Sequence, residues 1–200
     1  YLPGKTDTLF RAEETTERGD YIGAVVKAAG LTGGNRAYAD ANSLHWAYEQ
    51  FKTAREYELV DGLQIKAYDD LTYKAAYFAL YNALKAKNIV MNENLDLKDV
   101  NLSGWNEDDK AMLSALVSVK VVGTEELSSI KSADVVKRGK AADYIYKMTT
   151  ATNAEDNSSD SSATGGGSNV GLILGITIPI ACIAIGAAVY VIIRKKRLRV

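Results

Sequence analysis

Apolar and polar positions divide the chain into three regimes. Before residue 150, five stretches carry apolar side chains at helical spacing. The first runs from Thr16 to Ala29, with Tyr21, Ile22, Val25, Val26 and Ala29 on one face and Gly30 as its stop. Ser43 is placed to cap a second, which presents Trp46, Ala47, Phe51, Ala54 and Tyr57 and ends before Asp61-Gly62. Asp70 opens a third, with Ala75, Phe78, Ala79, Ala83 and Leu84 inward. A fourth runs from Asn106 through Met112, Leu113, Leu116 and Val117 to Gly123. Asp134 opens a fifth, with Val136, Ala141, Ala142, Ile145 and Met148 on one face. Pro3 and Pro179 are the only prolines, so nothing breaks these segments. The expectation for residues 1–150 is an all-α fold.

The second regime, residues 151–169 (ATNAEDNSSDSSATGGGSN), holds no large apolar residue. Such a segment cannot bury enough surface to offset its ordering entropy, and it is read as a flexible linker reaching roughly 25 Å. The third regime is the reverse. Residues 170–193 are 24 uncharged positions rich in Ile, Val, Leu, Ala and Gly. As a helix they reach roughly 36 Å, enough to cross a hydrocarbon core of about 30 Å with some tilt. Residues 194–200 follow with Arg194, Lys195, Lys196, Arg197 and Arg199, a basic tail of the kind retained on the cytoplasmic side. The expected localisation is a cell membrane crossed once, with the N-terminal part outside. Gly171 with Gly175, and Cys182 with Gly186, form small-xxx-small pairs that suit homo-oligomer formation through the span.

Charge changes the picture in one respect. The overall net charge of −1 conceals a segment 1–193 at −6, since the tail supplies five of the 24 basic residues. Nothing there offers the basic face that nucleic acid requires. Cys182 is the only cysteine and lies in the expected span, so the chain has no internal disulfide framework. His45 is the only histidine, which leaves few parts for a zinc site or a histidine-based triad. Carboxylate pairs such as Asp69-Asp70 and Asp108-Asp109 are neighbours in sequence and point apart on a helix. The chain is therefore expected to be no enzyme and to need no cofactor or metal. It begins at Tyr1 with neither an initiator Met nor a signal-peptide pattern, although the orientation requires export. The expectation is a processed form or an excerpt of a longer chain.

Repetition organises the helical region. The segments LFRAEETTERGDYIGAVVKAAGL, LTYKAAYFALYNALK and IKSADVVKRGKAADYIYKM each place a turn, then Arg18, Tyr73 or Arg138, then an apolar stripe, at a period near 55–65 residues. Tyr38-Ala39-Asp40, His45-Trp46-Ala47 and Leu59-Val60-Asp61-Gly62 add a first-helix motif and its exit. Glu17-Arg18-Gly19-Asp20 and Lys137-Arg138-Gly139-Lys140 add a second-helix motif. In these features the chain resembles the S-layer homology (SLH) repeats of bacterial cell-surface proteins. The resemblance divides it into the C-terminal part of a first repeat (1–35), a second repeat (36–90) and a third (91–150). Tyr73 stands where the family has arginine, and Lys140 where it has glutamate.

The resemblance implies non-covalent binding of a pyruvylated, anionic secondary cell-wall polysaccharide in a Gram-positive-type envelope, with Arg18, Asp20, Trp46, Gly62 and Arg138 as the polymer-binding residues. A guanidinium forks onto a carboxylate, and an aromatic face packs against a sugar ring. The alternatives remain that Arg18 and Arg138 pair with carboxylates such as Asp20 or Asp143, and that Trp46 anchors a core. At the level of the protein, the alternative is a non-enzymatic spacer or protein-interaction module.

Overall fold

The structure is a computed structural model that describes residues 2–4 and 9–154, all within one compact unit. Its organising feature is a ring of backbone hydrogen bonds between three extended segments. The Thr16 N–H donates to the Val136 carbonyl (3.1 Å), Val136 to Leu71 (2.8 Å), and Leu71 back to Thr16 (2.8 Å). Isolated antiparallel bridges join the same segments pairwise: Thr15 with Lys137, Glu17 with Asp70, and Thr72 with Val135. From each segment a central helix departs: α1 (Arg18–Ala29), α3 (Tyr73–Ala86) and α6 (Arg138–Thr150). The N–H groups that open a helix have no intrahelical acceptor. Here the first two of each helix find one across the ring: Arg18 and Gly19 donate to Asp69 and Ala67, Tyr73 and Lys74 to Asp134 and Ser132, and Arg138 and Gly139 to Glu14 and Ala12.

The three segments are thus related by a pseudo-threefold arrangement, in which position 18 corresponds to 73 and to 138. Close approach of the chains constrains what can follow. A Cβ on Gly19 would lie 2.8 Å from the Ala67 Cβ, and one on Gly139 would lie 3.1 Å from the Ala12 Cβ.

Outside the central helices lie α2 (Tyr48–Glu56), packed on α1, and α4 (Lys110–Ser118), packed on α3. A short 3-10 turn, Glu107–Asp109, leads into α4, and α5 (Thr124–Ser129) follows it. Helix α1 touches α2, α3 and α6, so Gly19–Val26 are buried without interruption. Helix α6 contacts α1 and α3, and its outer face carries Asp143, Lys147 and an exposed Tyr146. After α6 the chain is clamped to the exit of α3. The Ala154 N–H donates to the Val90 carbonyl (2.8 Å), and the Val90 N–H donates to Asn153 Oδ1 (2.9 Å).

Among the described residues every regular element is helical and no strand forms, so the all-α expectation is met there. Gly30, at φ +68°, closes α1 as its C-cap. Four of the expected helix starts move, the first from Thr16 to Arg18. Thr72, whose Oγ1 accepts from the Ala75 N–H (3.3 Å), caps α3 in place of Asp70, and Lys137 precedes α6 in place of Asp134. The cause is the ring: residues 70–72 and 135–137 stay extended to bond their neighbours. The second helix starts at Tyr48, not near Ser43, because residues 43–47 form turns in which the His45 Nδ1 accepts from the Ala47 N–H (3.1 Å). The fourth stretch opens as expected at Asn106, which forms a capping box with Asp109, but it ends at Ser118. No described helix is long and apolar enough to cross a membrane, and the span expected over residues 170–193, like most of the linker and the tail, lies outside the described residues.

The contact of α2 with α1 generates a prediction. A Cβ on Gly23 would lie 2.4 Å from the Ala47 Cβ and 3.0 Å from the Trp46 ring. Overpacking of this kind typically costs about 1–3 kcal/mol. Gly23→Ala should therefore lower the denaturant midpoint by an equivalent amount with the helical circular dichroism signal retained before unfolding; an unchanged midpoint would contradict the packing.

Candidate functional site

The first residues of the three central helices, Arg18, Tyr73 and Arg138, occupy equivalent places, and each faces the groove between its own helix and the next. Sequence differences give the three grooves different contents.

The groove at Arg18 is open. It holds a cavity of about 320 Å³ between the starts of α1 and α3 and the exit loop of α2. Its apolar wall is Ile22, Leu59, Val60, Ala75 and Phe78, and its polar lining is Arg18, Asp61, Thr72, Lys74 and Ser132. The Arg18 Nε is buried with no hydrogen-bond partner among the described residues. A buried guanidinium N–H without an acceptor is costly, and the guanidinium that carries it belongs to a residue lining the cavity. Lys74 stands across from it, its Nζ 2.8 Å from the Asp109 carboxylate. Gly62, at φ +89°, lets the chain turn directly after Asp61, and a side chain there would be strained.

The groove at Arg138 is closed. Its guanidinium is fully buried: Nε donates to the Phe10 carbonyl (3.0 Å), Nη2 donates to the Pro3 carbonyl, and the Phe10 ring lies 5.0 Å away. Nη1 lies 3.7 Å from Asp20 Oδ2 and has no hydrogen-bond partner among the described residues. Asp20 in turn accepts a 2.7 Å bond from Trp46 Nε1. Trp46 is 40% exposed and has the Lys27 ammonium 4.4 Å from its ring centroid.

The groove at Tyr73 is filled by aromatics. Tyr73, Tyr77 and Tyr144 meet edge to face, and Trp105 stacks on Tyr77 at 5.4 Å. The hydroxyls of Tyr77 and Tyr144 both donate to Glu126 Oε1, while Lys140 Nζ sits 2.9 Å from Glu126 Oε2. Burial, followed by the nearby Glu126 charge, pushes the Tyr77 phenol far above its usual range and the Tyr73 phenol upward.

The five residues expected to bind polymer are therefore not brought together. Arg18 lines the open cavity with Gly62 beside it, whereas Asp20, Trp46 and Arg138 form a separate cluster. For Arg138 the ion pair with Asp20 is what the structure contains; for Arg18 there is none among the described residues. Lys74 and Phe78 also line the cavity. A signal for Lys74 existed in its place one residue after Tyr73, at the start of α3.

Among the described residues one group, Glu17, Asp20 and His45, brings three potential metal ligands within 4.8 Å of one another. The hydrogen bonds oppose that use. Because His45 Nδ1 accepts from Ala47, a neutral ring carries its proton on Nε2, which faces Asp20 Oδ1 at 3.9 Å as a donor with no lone pair to offer. Zinc added to the protein should leave the His45 imidazole resonances in place; saturable shifts at micromolar zinc would reverse this reading.

No protein-family model matches the chain, and no curated protein matches it.

Burial also fixes an alkaline limit. The Tyr38 phenol is pushed up to about 12, by burial first and by the Asp40 charge second, against the opposing Arg55. Its unfolded value is about 10, so above that pH the unfolded chain releases the proton first and stability falls until the folded group also ionises. Tyr38→Phe should make the loss of stability between pH 10 and 12 shallower, by up to one proton, in denaturant melts at stepped pH. An unchanged slope would show that Tyr38 ionises normally.

Proposed function

We propose that the protein is a membrane-anchored, non-enzymatic component of a bacterial cell envelope, whose SLH-like repeats hold an anionic cell-wall polysaccharide. The observation that carries this reading is the Arg18 cavity, lined by a guanidinium whose Nε has no hydrogen-bond partner among the described residues and by apolar walls that suit a substituted sugar. A carboxylate ketal fits that chemistry: its oxygens take the guanidinium, and its alkyl part lies against Phe78 and Val60. Because the segment before the tail carries −6, overall attraction cannot draw in an anion, and the local cation must do so. Residues 170–193 supply the tether and residues 151–169 the spacing from the membrane.

A second reading is kept by one specific observation: two of the three equivalent grooves are filled by the chain's own side chains and backbone. On that reading the repeats are a spacer that kept the fold without the ligand.

Pull-down of the full chain, in detergent, by purified wall sacculi separates the two. Arg18→Ala should weaken binding about tenfold or more, since a charge-assisted hydrogen bond contributes roughly 1.5–3 kcal/mol. Arg18→Lys should restore it in part, because an ammonium lacks the planar fork. Retention of wild-type and Arg18→Ala protein at equal levels would favour the spacer.

A further inference from the structure

The loop that leaves α3 carries a chemically specific triplet that the proposed function does not use. Asn101-Leu102-Ser103 has the Asn-x-Ser pattern of an acceptor for asparagine-linked glycan. Apolar and polar residues alternate through it: Val100 and Leu102 pack against the core, while Asp99, Asn101 and Ser103 are exposed. The backbone beneath them is fixed. The Asn101 N–H donates to Ser128 Oγ on α5 (3.2 Å), and the Trp105 N–H donates to the Leu102 carbonyl (2.9 Å).

Local geometry separates this asparagine from its neighbours. Asn101 Oδ1 accepts from the Ser103 N–H (3.1 Å), an Asx turn that folds the third residue back toward the carboxamide. Asn42 and Asn92 form the same turn with the N–H groups of Leu44 (2.9 Å) and Asn94 (2.9 Å), and neither has a hydroxyl at that third place. Among the described residues, Asn101 alone joins such a turn to a hydroxyl two residues on. Neither its Nδ2 nor Ser103 Oγ has a hydrogen-bond partner among the described residues, so both groups are available to an enzyme. A carboxamide nitrogen is a poor nucleophile until it loses a proton. The N–H held on Oδ1 stabilises the negative charge that this loss places on the oxygen.

We propose that Asn101 is an acceptor for an N-linked oligosaccharide, added outside the membrane by a transferase with a polyprenyl diphosphate-linked donor. In the transfer, Asn101 Nδ2 bonds to C1 of the donor's first sugar and the C1–O bond to the diphosphate breaks. The polyprenyl diphosphate leaves with the electron pair, Nδ2 gives one proton to a base of the transferase, and nothing is oxidised or reduced. Asp99, exposed two residues earlier, adds a charge for that enzyme to read. Asn101 does not line the Arg18 cavity, so a glycan there leaves that lining unchanged. The inference rests on the proposed function only for export of the domain.

The test uses the full chain, purified in detergent from the membranes of the cells that make it, and mass spectrometry with electron-transfer fragmentation. Trypsin cleaves after Lys98 and Lys110, which places Asn101 in the peptide DVNLSGWNEDDK. The chain's other Asn-x-Ser sequence, Asn157-Ser158-Ser159, falls in a different peptide. The first peptide should carry a discrete oligosaccharide mass on Asn101. Asn101→Gln and Ser103→Ala should each abolish it, and Ser103→Thr, which keeps the hydroxyl, should retain it. A peptide found only unmodified, in cells whose linker is cut by external protease, overturns the proposal. Glycan that persists in the Ser103→Ala protein overturns it too. A linker protected from protease overturns the proposed orientation and this inference with it. Glycan on a protein that sacculi fail to retain supports the inference and counts against the proposed function alone.

Discussion

Three backbone hydrogen bonds, closing a ring through Thr16, Leu71 and Val136, set the terms for everything else in the described domain. Short extended segments joined in this way leave no regular sheet, yet they fix where three helices begin and how those helices face one another. The first two amides of each helix start are satisfied by the neighbouring segment; neither α1 nor α6 shows a side-chain cap, and α3 adds one, Thr72, for the Ala75 amide. The first side chain of each helix is therefore delivered to the rim of a groove. Chemistry at the rim is a matter of which residue stands there; the position itself is dictated by the backbone.

That division accounts for the contrast among the grooves. One backbone frame presents arginine, tyrosine and arginine in turn, and the contents follow from the facing residues. An alanine at position 75 leaves a cavity, an aspartate at position 20 meets a guanidinium, and Lys140 is drawn to Glu126 on α5. A guanidinium is useful to a ligand only when nothing in the chain has already taken its donors, and on that criterion Arg18 and Arg138 differ despite their shared place.

Much of the fold was legible from apolar periodicity: α6 buries Ala141, Tyr144, Ile145 and Met148 as a helical stripe, whereas α1, held among three helices, is buried on every side from Gly19 to Val26. Helix starts were less legible: Asp70 and Asp134 look like caps, but their segments are committed to the ring, a long-range constraint with no local signature. Helix α5 escaped notice because it spans six residues and buries Leu127 alone. At the candidate site, Arg18 could be picked out as a basic residue at a helix start. The same signal picked out Arg138, but it gave no sign that Nε and Nη2 would donate to the Phe10 and Pro3 carbonyls, 128 and 135 residues away in sequence, pairings no spacing rule anticipates. Asp20 and Trp46 were placed with the ligand site on the strength of a motif, and the structure gives them to each other.

The clamp at Val90 has a mechanical meaning. A pull applied to the C-terminal side of Ala154 does not reach the last turn of α6 directly. It is met first by the two hydrogen bonds that tie Asn153 and Ala154 to Val90, just past the end of α3. Load entering the domain is thus shared with a second central helix before α6 can be unwound from its end. At the opposite end of α6, the buried Arg138 side chain is fastened to the N-terminal segment. A domain strung between an anchor and a fixed polymer would resist tension by shear across several elements and not by the peeling of one.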